Sequence, residues 1–259
     1  MRYIFFITLI FFSACDFTPR IQKEILVAQN NISKQKFQKA IRKYEEVLND
    51  DCPQEIRIKI YYQLGQLYSI HLFNNLKAIS YFRKVKNESD DPKWLCKSEE
   101  RIAEINFSYL ANYKGSIESY RKLTRFVPSL QNHEFYEYRL GLSYKRISRF
   151  DKSQDIFRSI LKKPKHKYYV HAFYEMGIIN FKKENWEKAV KYWILYIRKE
   201  KRRDNIVRTK FLMANAYETM ENLKQAYDLY YSLLGEYPNT EVVKNRLNSI
   251  YERKIARRR

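Results

Sequence analysis

Along this chain a small residue recurs about every 37 positions, each time followed four residues later by an aromatic. The pairs are Ala40/Tyr44, Ala78/Phe82, Ser116/Tyr120, Ser153/Phe157, Ala189/Trp193 and Ala226/Tyr230. A second small residue stands 12 or 13 positions before each pair: Ala28, Gly65, Ala103, Gly141, Gly177 and Ala214. Small residues on two neighbouring helices let the backbones approach closely, and the aromatic fills the space beside them. A fixed period of this size marks a repeat array, in which each unit buries its apolar face against the next. Such arrays usually bind other molecules rather than catalyse.

Apolar residues within each unit follow helical spacing, with room for two helices. In the fourth unit Phe135, Tyr138, Leu142 and Tyr144 carry the first helix, and Ile156, Phe157, Ile160 and Leu161 the second. Turn-like stretches separate the two, such as Asn74-Asn75, Asn112 to Gly115, Ser148 to Asp151 and Glu184-Asn185. An aromatic or Leu stands three residues before the second-helix small residue at Phe37, Tyr113, Phe150, Trp186 and Leu223. In the second unit Leu76 is one place nearer, which predicts an irregular turn there. Pro53, Pro128, Pro164 and Pro238 punctuate unit ends, where a helix must stop. After Pro238, Asn239-Thr240-Glu241 offers an N-cap and an early acid for one more helix. Its inward residues read as Val242, Val243, Leu247, Ile250 and Tyr251, with Lys244, Arg246, Arg253 and Lys254 outward. That helix would cap the last apolar face of the array.

This pattern resembles the tetratricopeptide repeat (TPR). The likeness is carried by Leu64-Gly65 with Tyr68, Leu140-Gly141 with Tyr144, Met176-Gly177, Ala189-Val190 with Trp193, and Ala226-Tyr227 with Tyr230. The resemblance implies an all-α, right-handed superhelical solenoid of about six helical hairpins plus a C-terminal capping helix. It places the six repeats at residues 20–238 and the cap with a basic tail at 239–259. Units run 36 to 38 residues, longer than the usual 34 or so.

Residues 1–15, MRYIFFITLIFFSAC, set one basic residue before an apolar run and end on small residues and Cys15. The run is shorter than the roughly 20 residues that span a bilayer and suits a signal-peptide core. Phe12-Ser13-Ala14-Cys15 resembles a bacterial lipobox, with Phe where Leu is usual. The resemblance implies a signal peptide over 1–14, a diacylated Cys15 and a short tether over 15–19. An ordinary signal peptide that happens to hold a cysteine is the alternative, and the choice of inner or outer membrane stays open. Cys52 and Cys96 fall at the ends of successive repeats, too far apart for the Cα separation of about 7 Å or less that a disulfide needs. Free buried thiols are expected.

The net charge of +21 favours acidic partners: anionic lipid headgroups, acidic proteins or nucleic acid. A solubilising, lysine-rich composition is the plain alternative. Basic runs occur at Lys162 to Lys167, at Arg198 to Lys210 and at Arg257 to Arg259, where the tail could touch anionic lipid. TPR arrays bind peptides along the concave face formed by their first helices. Counting back three from each first-helix small residue marks one such column: Ile25, Tyr62, Glu100, Tyr138, Tyr174 and Phe211. Tyr62, Tyr138, Tyr174 and Phe211, with Lys59, Arg146, Lys182 and Arg208 nearby, are the candidate partner-binding residues. The same rings could instead pack against neighbouring helices. His71, His133, His166 and His171 lack metal-ligand spacing, and no phosphate loop or nucleophile elbow is present. Glu45-Glu46 and Glu99-Glu100 read as solvated ion-pairing acids. No enzyme activity, cofactor or metal is therefore expected. Leader and array together resemble two kinds of envelope lipoprotein: BamD-type subunits of outer-membrane β-barrel assembly, and pilotin-type subunits of pilus secretion. The first kind has five longer repeats and the second six. The expected protein is a membrane-anchored scaffold or adaptor for envelope proteins or peptide segments. A basic helical-repeat protein that binds nucleic acid or another polyanion is the alternative.

Overall fold

One large aromatic per repeat fills each gap between helices. Trp193, Tyr44, Tyr120, Tyr230, Phe82 and Phe157 are the six largest fully buried side chains among the described residues. The computed structural model describes residues 18–257. The leader, Cys15, Arg258 and Arg259 lie outside them. Thirteen α-helices are described, and no strand is found among these residues. In order they are α1 (Thr18–Ser33), α2 (Phe37–Asn49), α3 (Gln54–Ile70), α4 (Asn75–Glu88), α5 (Pro92–Glu104), α6 (Tyr113–Thr124) and α7 (His133–Arg146). They continue with α8 (Phe150–Leu161), α9 (Tyr169–Lys182), α10 (Trp186–Ile197), α11 (Arg203–Thr219), α12 (Leu223–Tyr231) and α13 (Thr240–Ala256). The chain divides into two compact units, the first ending at Ile105 and the second beginning at Asn106. In the first, α1 packs on α2, α2 on α3, α3 on α4 and α4 on α5. In the second, each helix from α6 to α13 packs on the next.

The paired small residues do what their spacing implies. Ala28, Ala40, Ala78, Ala103, Ser116, Ser153, Ala189, Ala214 and Ala226 are all at 0% exposure. Each glycine of the set lies directly under its ring. A Cβ on Gly65 would stand 2.7 Å from Phe82, and one on Gly177 would overlap the Trp193 indole. Where Ser replaces Ala, its hydroxyl finds a partner: Ser153 donates to the Gly141 carbonyl at 2.7 Å, and Ser116 to Ser143 at 2.9 Å.

Six non-glycine residues take left-handed backbone conformations: Gln35, Phe73, Ala111, Ser148, Glu184 and Glu221, with φ between 49° and 59°. All six stand five positions before the small residue of the following helix. Four of them end their helices in Schellman bonds. The next residue's N–H reaches back five residues, from Lys36 to Asn31, Arg149 to Tyr144, Asn185 to Asn180 and Asn222 to Tyr217, at 2.8–3.0 Å. In the second and third repeats the small residues are 13 apart, and the extra residue widens the end of the first helix. Leu72 N–H bonds five back to Leu67 at 3.2 Å in one, and a π-helical turn, Ile105–Tyr109, follows α5 in the other. A π turn accepts one additional residue without ending the helix. The turn at Leu76 is therefore regular where it enters the second helix, contrary to the sequence reading. Asn75 holds the usual aromatic position there, and Leu76 is 72% exposed.

Other expectations are corrected by packing. On α13 the stripe Val243, Leu247 and Ile250 is buried, whereas Val242 and Tyr251, about a quarter-turn to either side, are exposed. Arg246 is exposed and Arg253 partly buried, and both are paired. They reach Glu218 of α11 at 3.5 and 3.2 Å. Glu99 is buried and takes the Lys86 ammonium, and Glu45 accepts from Tyr81 at 2.9 Å. Glu99 is a structural acid rather than a solvated one, whereas Glu45 stays partly exposed and also pairs with Lys77 at 3.8 Å. Cys52 is a buried free thiol, but Cys96 is only partly buried, and burial pushes both thiols up.

Replacing Gly177 by Ala should destabilise the protein by about 3 kcal/mol, because the rigid indole has no room to yield. Gly65→Ala should cost less, since the Phe82 ring can tilt, and urea unfolding measures both. Glu184→Gly should raise stability by about 1 kcal/mol by relieving the left-handed residue.

Candidate functional site

The column of rings on the first helices is held by a repeated contact. In the second unit, Tyr138 of α7 stacks on Tyr168, which precedes α9, with centroids 4.4 Å apart and planes 7° off parallel. Phe211 of α11 stacks on Tyr237, which precedes α13, at 4.4 Å and 13°. Each ring also meets the buried aromatic of its own repeat edge-on, Tyr138 with Phe157 at 5.9 Å and Phe211 with Tyr230 at 5.5 Å. Tyr174 of α9 lies 5.2 Å from Tyr196, and the Trp193 indole N–H donates to the Tyr174 carbonyl at 3.3 Å. In the first unit, Tyr62 of α3 sits between Phe82 at 5.4 Å and Trp94 at 5.3 Å, both edge-on. All four rings are partly buried, so only part of each is open to solvent.

An acid that the sequence reading passed over organises the middle of this face. Glu175 of α9 is 6% exposed and accepts from the Tyr138 hydroxyl at 3.3 Å, and it takes the Lys145 ammonium of α7. Burial, followed by the charge of Glu175, pushes the Tyr138 phenol up, and the same two causes act in the same order on Tyr174. The Tyr138 phenol is held protonated and donates to Glu175. A buried acid beside a helix glycine is the signal that could have found Glu175. Its spacing alone, two residues before Gly177, looks like any surface glutamate.

The basic candidates are all exposed: Lys59 on α3, Arg146 and Lys182 at the ends of α7 and α9, and Arg208 on α11. Arg208 is near enough to Tyr174 to oppose the rise of its phenol, and Arg146 lies 5.9 Å from the Tyr113 ring. Lys59 and Tyr62, one turn apart on α3, belong to the first unit. Tyr138, Tyr174, Arg146, Lys182, Arg208 and Phe211 belong to the second. The structure thus joins Tyr138, Tyr174 and Arg208 through α9, while Lys182 reaches solvent at the far end of that helix. Near the C-terminus a polar groove of about 360 Å³ runs between α11 and α13, its acids Glu218 and Glu221 held by Arg246 and Arg253. Among the described residues no group of three or more His, Cys, Asp or Glu is arranged to hold a metal. No helix among them is long and apolar enough to cross a membrane.

The family model of the tetratricopeptide repeat matches residues 136–166 and 209–240, which span α7–α8 and α11–α12. No curated protein matches the chain in sequence. Among solved structures the chain is similar to PilW, a type IV pilus biogenesis factor, with a TM-score of 0.54 and 16% identity over 90% of this chain and 98% of that one. It is similar to PilF of Pseudomonas aeruginosa, with a TM-score of 0.52 and 11% identity over 91% and 98%. YrrB, a TPR protein with an unusual peptide-binding site, matches 71% of this chain and 91% of its own at a TM-score of 0.51 and 19% identity. At such identities the likeness is one of fold.

Tyr138→Phe should lower stability by about 1 kcal/mol through loss of the bond to Glu175, and Tyr138→Ala by about 3 kcal/mol through loss of the stacked ring as well. Urea unfolding of the two variants separates them. Equal losses would place the hydroxyl alone in charge of this contact.

Proposed function

We propose that this TPR-type helical-repeat protein is a membrane-anchored adaptor lipoprotein of the bacterial cell envelope, which holds protein or peptide partners within a pilus, secretion or outer-membrane assembly. The observation that carries the reading is a conjunction. A lipobox-like ending, Phe12 to Cys15, runs almost directly into an array of helix pairs closed by α13. That array has the extent of PilW and PilF, each covered over 98% of its length. The count of six repeats leans toward a pilotin-type role, and the unit length of 36 to 38 residues leans toward a BamD-type one. Binding rather than chemistry suits a face whose titratable groups are engaged with one another. Tyr138 and Glu175 are tied together, and the two acids of the C-terminal groove are held by arginines.

A partner would meet partly exposed rings and exposed cations on the first helices. In the second unit these are Tyr138, Tyr174 and Phe211 with Arg146, Lys182 and Arg208. In the first they are Lys59 and Tyr62. Rings bordered by Arg and Lys suit an extended segment with acidic and apolar side chains. Charge reversal of Arg208 should therefore weaken partner capture more than it changes stability, because its side chain is exposed.

Metabolic labelling with a radioactive fatty acid tests the anchor. Wild-type protein should carry label and sediment with membranes, and Cys15→Ser should lose both. An unlabelled wild-type chain that stays in the cytosol would sink the lipoprotein reading and favour a polyanion-binding protein. In-cell crosslinking of the membrane-bound protein then identifies its partner.

A further inference from the structure

The positive charge of this protein is unevenly placed. Residues 1–105 carry 17 basic and 13 acidic side chains, and residues 106–259 carry 33 and 16. Much of the excess in the second unit gathers on one edge. Successive helices from α7 to α11 pack in alternating directions, so the α8–α9 and α10–α11 connections come to the edge where the first helices begin. Specific contacts fix this arrangement. Lys163 reaches Glu137 of α7 at 3.2 Å, and the Lys167 N–H donates to Glu134 of α7 at 2.9 Å. Lys199 lies 5.7 Å from the ring of Tyr169, at the start of α9.

Apart from Asp204, which is exposed at the start of α11, the acids of this edge are engaged by neighbouring groups. Glu134 accepts a backbone N–H. Glu137 is bonded by His166 at 3.2 Å as well as by Lys163. Glu200 is partly buried. Burial would push its carboxyl up, but the Tyr196 hydroxyl, the Arg202 and Lys201 N–H groups and Asn205 outweigh it and hold the carboxyl at about 2. The cations are turned outward. Lys162, Lys165, Arg198 and Lys201 are exposed, and among the described residues none has a carboxylate partner. The positive ends of α7, α9 and α11 face the same way and add to the field. On the next connection of this edge, between α6 and α7, Val127 stands 87% exposed beside the exposed Arg125.

The kind of anion follows from what the edge lacks. Single-stranded nucleic acid needs free aromatic faces for stacking. Here Tyr168 is stacked on Tyr138, and Tyr169 is packed edge-on against Phe173. The unpaired cations are mostly lysines at the tips of separate loops. Lysine acts as a point charge, suited to a diffuse negative surface, whereas forked recognition of single phosphates favours arginine. An exposed apolar tip among such cations suits the boundary between headgroups and acyl chains. We propose that this edge of the second unit is a docking surface for the anionic headgroups of a lipid bilayer. The proposal rests on the envelope reading only for its setting, since the surface itself is built without Cys15.

The test uses residues 15–259 with Cys15→Ser, so that no acyl chain contributes. The probes are phosphatidylcholine vesicles with and without phosphatidylglycerol. The protein should sediment with the phosphatidylglycerol vesicles alone, and added salt should release it. Replacing Lys162, Lys165, Arg198 and Lys201 together by Gln should weaken that binding roughly tenfold or more, with helicity and melting temperature unchanged. The pair Lys165→Gln and Lys201→Gln should give an intermediate loss, which keeps the test valid should the fourfold variant fold poorly. Unchanged vesicle binding by the variants, or its loss only on replacing Arg257 to Arg259, would overturn the proposal. So would a wild-type chain that ignores these vesicles but binds a single-stranded oligonucleotide through the same lysines. A lost fatty-acid label with vesicle binding retained would instead remove the anchor and leave this surface standing.

Discussion

Everything in this fold depends on a buried aromatic lying against a residue with almost no side chain. The ring is fixed on the second helix of each repeat, and the small residue on the first helix lets it come within van der Waals contact of backbone. Neither half works alone. A larger residue would push the helices apart, and a smaller ring would leave a cavity of the kind that costs several kcal/mol. Because one such contact repeats in every unit, register is carried along the chain without any long-range strand pairing. The left-handed residue five positions ahead of the small residue of each second helix is the same constraint seen in the backbone. It lets the second helix start in the one place where its ring can reach the small residue.

The fold protects that register where the sequence departs from it. Two repeats hold an extra residue between their small positions, and both absorb it as a widened end of the first helix. The turn and the second helix are untouched. Distortion collects where it costs least, at a helix end whose carbonyls are already without partners inside the helix.

Polar groups then divide into those that build and those that remain free. Glu45, Glu99, Glu175 and Glu218 are tied to Tyr, Lys or Arg of neighbouring helices and act as fasteners between repeats. Along one edge of the second unit most acids are consumed in this way while lysines are left over. An edge can thus become strongly basic even though its local sequence is a mixture of both signs. The ring column behaves similarly. Tyr138 and Phe211 bridge their repeat's buried ring and the next connection, so only part of each ring is left to a partner.

Repetition, helix count and the identity of the buried rings were legible in the sequence, because each depends on residues a few positions apart on one or two adjacent helices. Ala189 and Trp193 announce their role by spacing, and so does the cap after Pro238. The site was legible only in part. Tyr62, Tyr138, Tyr174 and Phe211 could be placed in one column, but the stacking of Tyr138 on Tyr168 and of Phe211 on Tyr237 depends on how a later connection folds back. Glu175 and Glu99 look like surface acids until the neighbouring helix brings Lys145 or Lys86 to them. Val242 and Tyr251 looked inward until the tilt of α13 was fixed. Short-range spacing therefore determined the architecture, and tertiary structure decided which charges were paired. The physical reason is that burial and pairing depend on partners 30 or so residues away, at distances that no local period records.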